Sequence, residues 1–148
     1  MFLRALIAFL ALPGVVAFLV PAIVVWRRGA ASGVRPLGMV HLALGVAALL
    51  WCVREFYVAG KGTLAPWSPT VHLVVSGPYR YSRNPMYLAV LTVVTGWAHA
   101  FASWGLLAYA GALLVAFELR IRHGEEPWLS RRHGAAWIAY AARVRRWL

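Results

Sequence analysis

The length of its apolar segments is the feature that most constrains what this chain can fold into. Residues 2–26 contain a single charged residue, and residues 37–58 contain two, Arg54 and Glu55, near one end. About 20 predominantly apolar residues cross the hydrocarbon core of a bilayer as a helix, so each segment is predicted to span a membrane. A cleaved signal peptide is disfavoured for the first segment, because arginines follow it where small cleavage-site residues would stand.

Two shorter apolar runs, 86–101 and 106–121, follow later in the chain. The residues between them can form a turn, so these runs are predicted to pair as a tight helical hairpin. With the two longer segments they give four predicted spans, which place both ends of the sequence on one side of the membrane.

Composition points to the same class of protein. Of the 148 residues, 62% are hydrophobic and only 13% are charged, which is too apolar for an ordinary soluble domain. The net charge is +11, and a basic apolar chain is typical of a membrane protein that faces anionic lipid. The apolar runs argue against nucleic acid as a partner. Cys52 is the only cysteine and fits no metal-binding spacing, so no metal is predicted.

The distribution of positive charge predicts the orientation. The tail, residues 120–148, carries seven arginines, which are Arg120, Arg122, Arg131, Arg132, Arg143, Arg145 and Arg146. With the other basic residues on the same predicted side, the count is twelve against three in the first loop. Cytoplasmic loops carry the excess of Lys and Arg. The tail is therefore predicted to be cytoplasmic, although the first loop by itself argues the other way.

The end of the tail has the pattern of a surface helix. Apolar residues recur at helical spacing, with arginines on the other faces; they are Trp137, Tyr140, Ala141, Val144 and Leu148. Such a pattern indicates an amphipathic helix lying at the membrane surface. The predicted fold class is an all-α integral membrane protein with about four transmembrane helices and a C-terminal amphipathic interfacial helix.

A polar stretch, SGPYRYSRNPMY at residues 76–87, lies between the apolar runs. Gly77-Pro78 is a turn signal, and Asn84-Pro85 is typical of an N-cap and the first position of a helix. The free N–H groups of a helix start favour an anionic group such as a carboxylate. The alternative interpretation is a membrane-surface loop anchored by aromatic and arginine side chains.

Two adjacent carboxylates, Glu125 and Glu126, stand out in a chain with only four acidic residues. They fit the start of a helix, where acids complement the dipole, or a binding site for a cation. Arg122 and Glu126 are four residues apart and would face one pocket in a continuous helix. Glu118 and Arg122 have the same spacing and can instead form an ion pair.

These two blocks resemble the signature of the integral-membrane methyltransferases typified by isoprenylcysteine carboxyl methyltransferase. The first block is VHLVVSGPYRYSRNPMY, and the second is EEPWLSRRHGAAWIAYAARVRR. Asn84 stands where the carboxyl methyltransferases usually carry His. Asn-Pro-Met-Tyr at 84–87, together with Glu-Glu-Pro at 125–127, is similar to the phosphatidylethanolamine methyltransferases of the same group.

The resemblance implies S-adenosylmethionine as the cofactor and a lipophilic acceptor that enters from the membrane. It implies one methyltransferase domain over 1–148, in which 1–58 forms two spans and 59–148 forms the cofactor-binding catalytic part. The implied cofactor-binding residues are Leu73, Val74, Tyr79, Asn84, Pro85, Met86, Tyr87, Glu125 and Glu126. The catalytic roles would fall to Glu126 and Arg122, and the acceptor would contact Arg122 and Tyr140.

Three functions are compatible with these residues. The favoured one is methylation of a phospholipid headgroup amine, as in phosphatidylethanolamine N-methylation. A carboxyl or thiol methyltransferase acting on another lipophilic acceptor belongs to the same reaction class. A non-catalytic membrane protein with a structural or assembly role belongs to another class. An amine acceptor must also lose a proton, for which Glu126, Glu118 and His123 are all candidate bases.

Overall fold

A computed structural model describes residues 10–28, 33–61 and 71–148. The first eight residues of the predicted first span (2–9), part of the first loop (29–32) and residues 62–70 lie outside the described residues. Within the described ranges the chain forms helices and turns and no strand, so the all-helical prediction is confirmed.

The described helices follow one another along the chain in a simple order. A π-helical segment, Leu10–Leu19, leads into α1 (Val20–Arg28), and α2 covers Pro36–Val58. A 3-10 turn at Gly77–Arg80 precedes the hairpin of α3 (Pro85–Ala100) and α4 (Trp104–Arg120). A π-helical turn at Ile121–Glu125 continues α4 into α5 (Glu126–His133), and α6 follows at Ala135–Arg143.

Local sequence signals set several of these boundaries. Pro36 and Pro85 stand in the first turn of α2 and α3, where the missing N–H costs no hydrogen bond. The Ser103 side chain caps α4 by accepting a hydrogen bond from the Leu106 N–H at 3.3 Å. The predicted hairpin is confirmed, with its turn at residues 101–103.

Helices α2 and α3 approach each other closely through glycines. A Cβ added at Gly38 would lie 2.2 Å from the Ala100 nitrogen, and one added at Gly96 would lie 2.6 Å from the Leu42 Cα. Small residues at such contacts allow helix backbones to approach within a membrane, where burial of apolar side chains supplies little driving force. The α2–α3 pair forms the core against which the polar stretch packs.

Two histidines join α2 and α3 near one end of the pair. His41 Nδ1 lies 3.0 Å from His99 Nδ1, and His41 Nε2 lies 3.3 Å from the Thr95 hydroxyl. Separated by 58 positions in the chain, they look like isolated histidines in the sequence. The structure makes them one hydrogen-bonded cluster between helices.

The exposed surface of the bundle is strongly apolar. Leu37 and Trp104 are 82% and 81% exposed, which suits side chains that face lipid.

Pro36–Val58 and Trp104–His133 are long and apolar enough to cross a membrane, whereas Pro13–Arg27 is a shorter apolar helix. Helix α3 has 16 residues, or about 24 Å of helix, which is less than the hydrocarbon thickness of about 30 Å. The count of four spans therefore stays a prediction.

The tail differs from the predicted surface helix in its last residues. Helix α6 ends at Arg143, and Val144 adopts an extended backbone with φ −115° and ψ 129°. Residues 144–148, called the strap below, contain no helix. Trp137 and Tyr140 are buried within the protein. The prediction of one helical face through Leu148 is wrong, because the chain leaves α6 to contact the polar stretch.

Candidate functional site

The polar stretch folds as the sequence predicts. Gly77 begins the 3-10 turn with φ +57°, a conformation that favours glycine. A Cβ at this position would lie 2.8 Å from Cγ of Glu55, and Ser76 donates a hydrogen bond of 2.5 Å to the Glu55 carboxylate. Asn84 is the N-cap of α3 and Pro85 stands in its first turn, so the predicted helix start is confirmed.

Glu126 lies between two arginines from distant parts of the chain. Arg146 Nε donates to Glu126 Oε1 at 3.0 Å, and Arg146 Nη2 donates to Oε2 at 2.7 Å. Arg83 Nη1 lies 3.1 Å from Oε1. The two-pronged pairing with Arg146 uses both carboxylate oxygens, which is the strongest geometry for an arginine–carboxylate pair.

Arg83 is the more enclosed of these two arginines. Its side chain is 14% exposed, and its guanidinium lies 5.6 Å from the centre of the Trp137 ring, within the range of a cation–π contact. Its Nε is buried and has no hydrogen-bond partner among the residues that the structure describes. Arg83 therefore joins the polar stretch to α6 and to the acidic residue at the start of α5.

Arg122 does not pair with Glu126. Arg122 pairs with Glu118 one turn earlier, and its side chain is 58% exposed. In the π-helical turn the Glu126 N–H donates to the Ile121 carbonyl, five residues back. Glu126 is therefore turned around the helix axis, away from the position that it would have in an α-helix. Arg122 is linked to Glu126 indirectly, since Arg146 Nη1 lies 3.2 Å from the same Glu118 oxygen.

Glu125 and Glu126 have different partners. Glu125 accepts hydrogen bonds from the Tyr87 hydroxyl and from Arg120 Nε, the latter at 2.9 Å. The Tyr87 ring packs against the Phe117 ring in a tilted arrangement, with centroids 4.4 Å apart. The adjacent acids thus contribute to two neighbouring clusters, and Tyr87 belongs to the Glu125 cluster.

The strap lies across the start of α3. The Arg145 carbonyl accepts a hydrogen bond from the Arg83 backbone N–H at 2.9 Å. The Arg146 carbonyl accepts from the Asn84 side-chain amide at 3.0 Å and from the Ser82 hydroxyl at 3.3 Å. Asn84 therefore binds the strap with its side chain and makes no side-chain cap on its own helix.

An apolar cluster lies beneath the polar stretch. Val74 and Tyr79 are buried together with Cys52, and Met86 packs against them. Leu73 is half-buried next to Val74 in the chain. The predicted apolar residues of the site thus lie close to the start of α3.

Tyr140 connects α6 to this cluster. Its hydroxyl donates to the Tyr79 carbonyl at 2.7 Å. Burial raises the pKa of Tyr140 to about 12, opposed by the nearby charge of Arg83. Burial also raises the pKa of Tyr79 well above its usual value. Both phenols are therefore neutral at physiological pH, and Tyr140 acts as a hydrogen-bond donor that holds the polar stretch.

A groove of about 270 Å³ runs beside the start of α3. Helices α2 and α3, the 3-10 turn and Leu148 of the strap line it, with the residues Ala48, Trp51, Cys52, Pro78, Tyr81, Ser82, Pro85, Leu88, Ala89, Thr92 and Leu148. Most of these side chains are apolar, so the groove suits a hydrocarbon group better than a charged one.

Sequence reasoning assigned no site role to Arg83 or Arg146, which the structure brings to Glu126. Two sequence positions could have indicated a site role: Arg83 stands beside Asn84, and Arg146 lies in the second block. Fifteen basic residues compete for four acids, so the sequence does not select these pairs. In the described ranges, no group of three or more His, Cys, Asp or Glu side chains is arranged to hold a metal ion.

The resemblance implies S-adenosylmethionine as the cofactor, and two described groups complement its ammonium and its carboxylate. A carboxylate (Glu126) and an amide donor (Asn84) lie on either side of a single residue, Arg146. An apolar cluster adjoins them. The donor set fits the cofactor, provided that the strap leaves these groups.

Comparison with known proteins identifies the family. Residues 34–136 match the family model described as phospholipid methyltransferase, a range that begins before α2 and includes both the polar stretch and the acidic pair. No curated protein and no solved structure matches the chain. The match covers more than half of the 148 residues. With its apolar helices, the chain therefore belongs to the phospholipid methyltransferase family of membrane methyltransferases.

Proposed function

We propose that this protein transfers a methyl group from S-adenosylmethionine to the headgroup amine of a phospholipid, with phosphatidylethanolamine as the acceptor. The observation that carries the proposal is the ion pair between Glu126 and Arg83, which stands next to the N-cap of α3, within a range that matches the phospholipid methyltransferase family. Membership of this family supports methyl transfer at a membrane. The carboxylate of Glu126 and the amide of Asn84 support binding of a cofactor that carries both an ammonium and a carboxylate.

The chain's own residues would divide the binding of the cofactor between them. When bound, S-adenosylmethionine supplies an electrophilic methyl group on its sulfonium. Glu126 would hold the amino group, and the Asn84 amide with the N–H groups after Pro85 would hold the carboxylate. The apolar walls for the adenine would come from Leu73, Val74, Tyr79 and Met86, with Tyr87 and Glu125 closing the neighbouring side.

The acceptor side of the site needs a cation for the phosphate and a base for the ammonium. Arg122 is exposed enough to receive a phosphate, and its planar guanidinium suits a two-pronged contact. His123 Nδ1 lies 3.0 Å from the Leu119 carbonyl. Because a carbonyl only accepts, Nδ1 carries the proton and Nε2 is the accepting nitrogen. Glu118 and Glu126 are held in ion pairs, so we propose His123 as the base.

Tyr140 is proposed to act on the acceptor only through the polar stretch. Its hydroxyl is committed to the backbone carbonyls of Tyr79 and Ser82. It would therefore position these residues without touching the reacting atoms.

The proposed topology has four spans and a cytoplasmic tail, within one domain covering 1–148. Helices α3 and α4 would cross as a hairpin, and local thinning of the bilayer would accommodate the shorter α3. A reporter that is active only in the cytoplasm should be active when fused after Leu148, because the basic residues concentrate on that side. The same reporter inserted in the first loop should be inactive. The reverse pattern would contradict the topology.

The acceptor is tested by labelling and by pH. Cells that express the protein and receive labelled methionine should accumulate label in a phospholipid headgroup, measured by mass spectrometry of extracted lipids. In vitro, the rate should rise with pH through the neutral range, because the ammonium must lose a proton before it attacks. A carboxylate acceptor is already ionised well below neutrality.

Two results would contradict the proposed acceptor. Label in a prenylcysteine ester, with a rate flat from mildly acid to neutral pH, would indicate a carboxyl methyltransferase. Binding of no cofactor and transfer of no label would instead indicate a structural or assembly protein.

As a matched pair, Arg122→Lys should slow methyl transfer and Arg131→Lys should not, since Arg131 is an exposed residue of α5 outside the proposed site.

A further inference from the structure

The strap occupies two of the groups that the proposed function assigns to the cofactor, Glu126 and the Asn84 amide, and it also binds the backbone beside them. Arg146 takes both oxygens of Glu126, at 3.0 and 2.7 Å. The Arg146 carbonyl accepts a hydrogen bond from the Asn84 side-chain amide, and the Arg145 carbonyl accepts one from the Arg83 backbone N–H. A ligand cannot use these donors and acceptors while the strap holds them.

The polarity of the strap matches that of an amino acid. Arg146 presents a cation to the carboxylate of Glu126 and an oxygen acceptor to the amide of Asn84. A free amino acid group presents an ammonium and a carboxylate, which have the same two polarities. A single residue of the chain therefore satisfies the site in the way that the amino acid end of S-adenosylmethionine would.

Further contacts hold the strap in place. Arg146 Nη1 lies 3.2 Å from Glu118 Oε1, and Trp147 Nε1 donates to Glu118 Oε2 at 2.8 Å. Leu148 lines the apolar groove beside α3. The strap is thus anchored on Glu126, on Glu118, on the start of α3 and in the groove.

We propose that the strap is an intramolecular competitor of the cofactor, which binds the site through Arg146 and is displaced when the amino acid end of the cofactor binds. The proposal rests on the proposed function, since it takes Glu126 and Asn84 as cofactor groups. A site that is occupied by its own chain for most of the time binds a ligand with an affinity reduced by the open fraction. Release of the strap therefore sets the apparent affinity for the cofactor.

The first test is binding of S-adenosylhomocysteine to purified protein by calorimetry. Arg146→Ala removes the cation that competes for Glu126 and should tighten binding about tenfold. Arg143→Ala is the matched control, because it removes an equal charge from an exposed residue whose Nε donates to the Ala139 carbonyl of its own helix. Arg143→Ala should leave the affinity within about twofold, since exposed charges interact weakly. Weaker or unchanged binding by Arg146→Ala would overturn the proposal.

The second test follows the strap itself. A spin label at Arg145→Cys, in a Cys52→Ala background, reports the mobility of an exposed position of the strap. Its spectrum should sharpen when S-adenosylhomocysteine is added, and it should already be sharp without ligand in Arg146→Ala. A label at Arg131→Cys on α5 should not respond.

The outcomes separate the two proposals. If S-adenosylhomocysteine binds while the strap label stays immobile, only the competitor proposal fails. If no variant binds S-adenosylhomocysteine, the proposed cofactor fails and the competitor proposal fails with it.

Discussion

Replacing Glu126 by alanine in the Arg146→Ala background should weaken S-adenosylhomocysteine binding about ten- to hundredfold. A charged hydrogen bond contributes about 1.5–3 kcal/mol, which corresponds to this range of affinity. The background matters because Glu126 holds Arg146 with both oxygens. In the native chain the same substitution would also loosen the strap, so the net loss there should be smaller. The difference between the two backgrounds measures the coupling of Glu126 to Arg146.

Glu118→Ala is the matched control for this measurement. Glu118 also pairs with two arginines, but we assign it no cofactor contact. In the Arg146→Ala background it should change the affinity little. In the native chain it removes two anchors of the strap and should tighten binding. Equal losses for Glu118→Ala and Glu126→Ala in the Arg146→Ala background would show that the assignment of Glu126 is wrong.

Glu126→Ala leaves Arg83 without its carboxylate partner, so folding is a necessary control. Arg83 is largely buried and retains its contact with Trp137. Glu126→Gln keeps a hydrogen-bond acceptor for Arg83 while removing the negative charge. It should therefore fold like the native chain and still lose most of the binding. Native-like helical circular dichroism for both variants would confirm that the loss is local.

The second large effect concerns the contact between α2 and α3. Gly96→Ala should destabilise the protein, because its Cβ would lie 2.6 Å from the Leu42 Cα and 2.7 Å from the Leu42 nitrogen. These are backbone atoms, so a whole helix must shift to make room. Overpacking of this kind costs about 1–3 kcal/mol. The measurement is the free energy of unfolding in detergent, followed by circular dichroism.

Gly111→Ala supplies the matched control on a neighbouring helix. A Cβ at Gly111 would meet none of the described residues within 4 Å, and alanine favours the helix over glycine by about 0.8–1.0 kcal/mol. Gly111→Ala should therefore be neutral or stabilising. The propensity gain is common to both variants, so they should differ by the overpacking cost of about 1–3 kcal/mol. Equal stabilities would contradict the close approach of α2 and α3.

Local signals in the sequence determined much of the fold. Uninterrupted apolar length fixed α2, because 23 residues from Pro36 to Val58 contain only two charged residues, both near the end. Gly77-Pro78 and Asn84-Pro85 fixed the turn and the helix start, because the backbone requirements of these residues act within a few positions. The resemblance also pointed correctly to the phospholipid methyltransferase family.

Contacts between distant parts of the chain decided the partners of the acidic residues. Arg83 and Arg146 lie 43 and 20 positions from Glu126 along the chain, so no local pattern connects them. The π-helical turn changed the direction of Glu126 around the helix axis relative to Arg122. The i,i+4 spacing of an α-helix allowed Arg122 to face either Glu126 or Glu118, and the structure shows the ion pair with Glu118.

Tertiary contacts also decided where the tail stops being a helix. Val144 and Leu148 continue the apolar spacing of α6, and the sequence alone favours a helix through both. The strap gains hydrogen bonds to Arg83, Asn84 and Ser82, together with the ion pairs of Arg146, only if its backbone leaves the helix. The sequence thus determined the helices and the start of α3. The tertiary structure decided that Arg146 binds beside that start, because its partners Asn84 and Ser82 lie about 60 positions earlier in the chain.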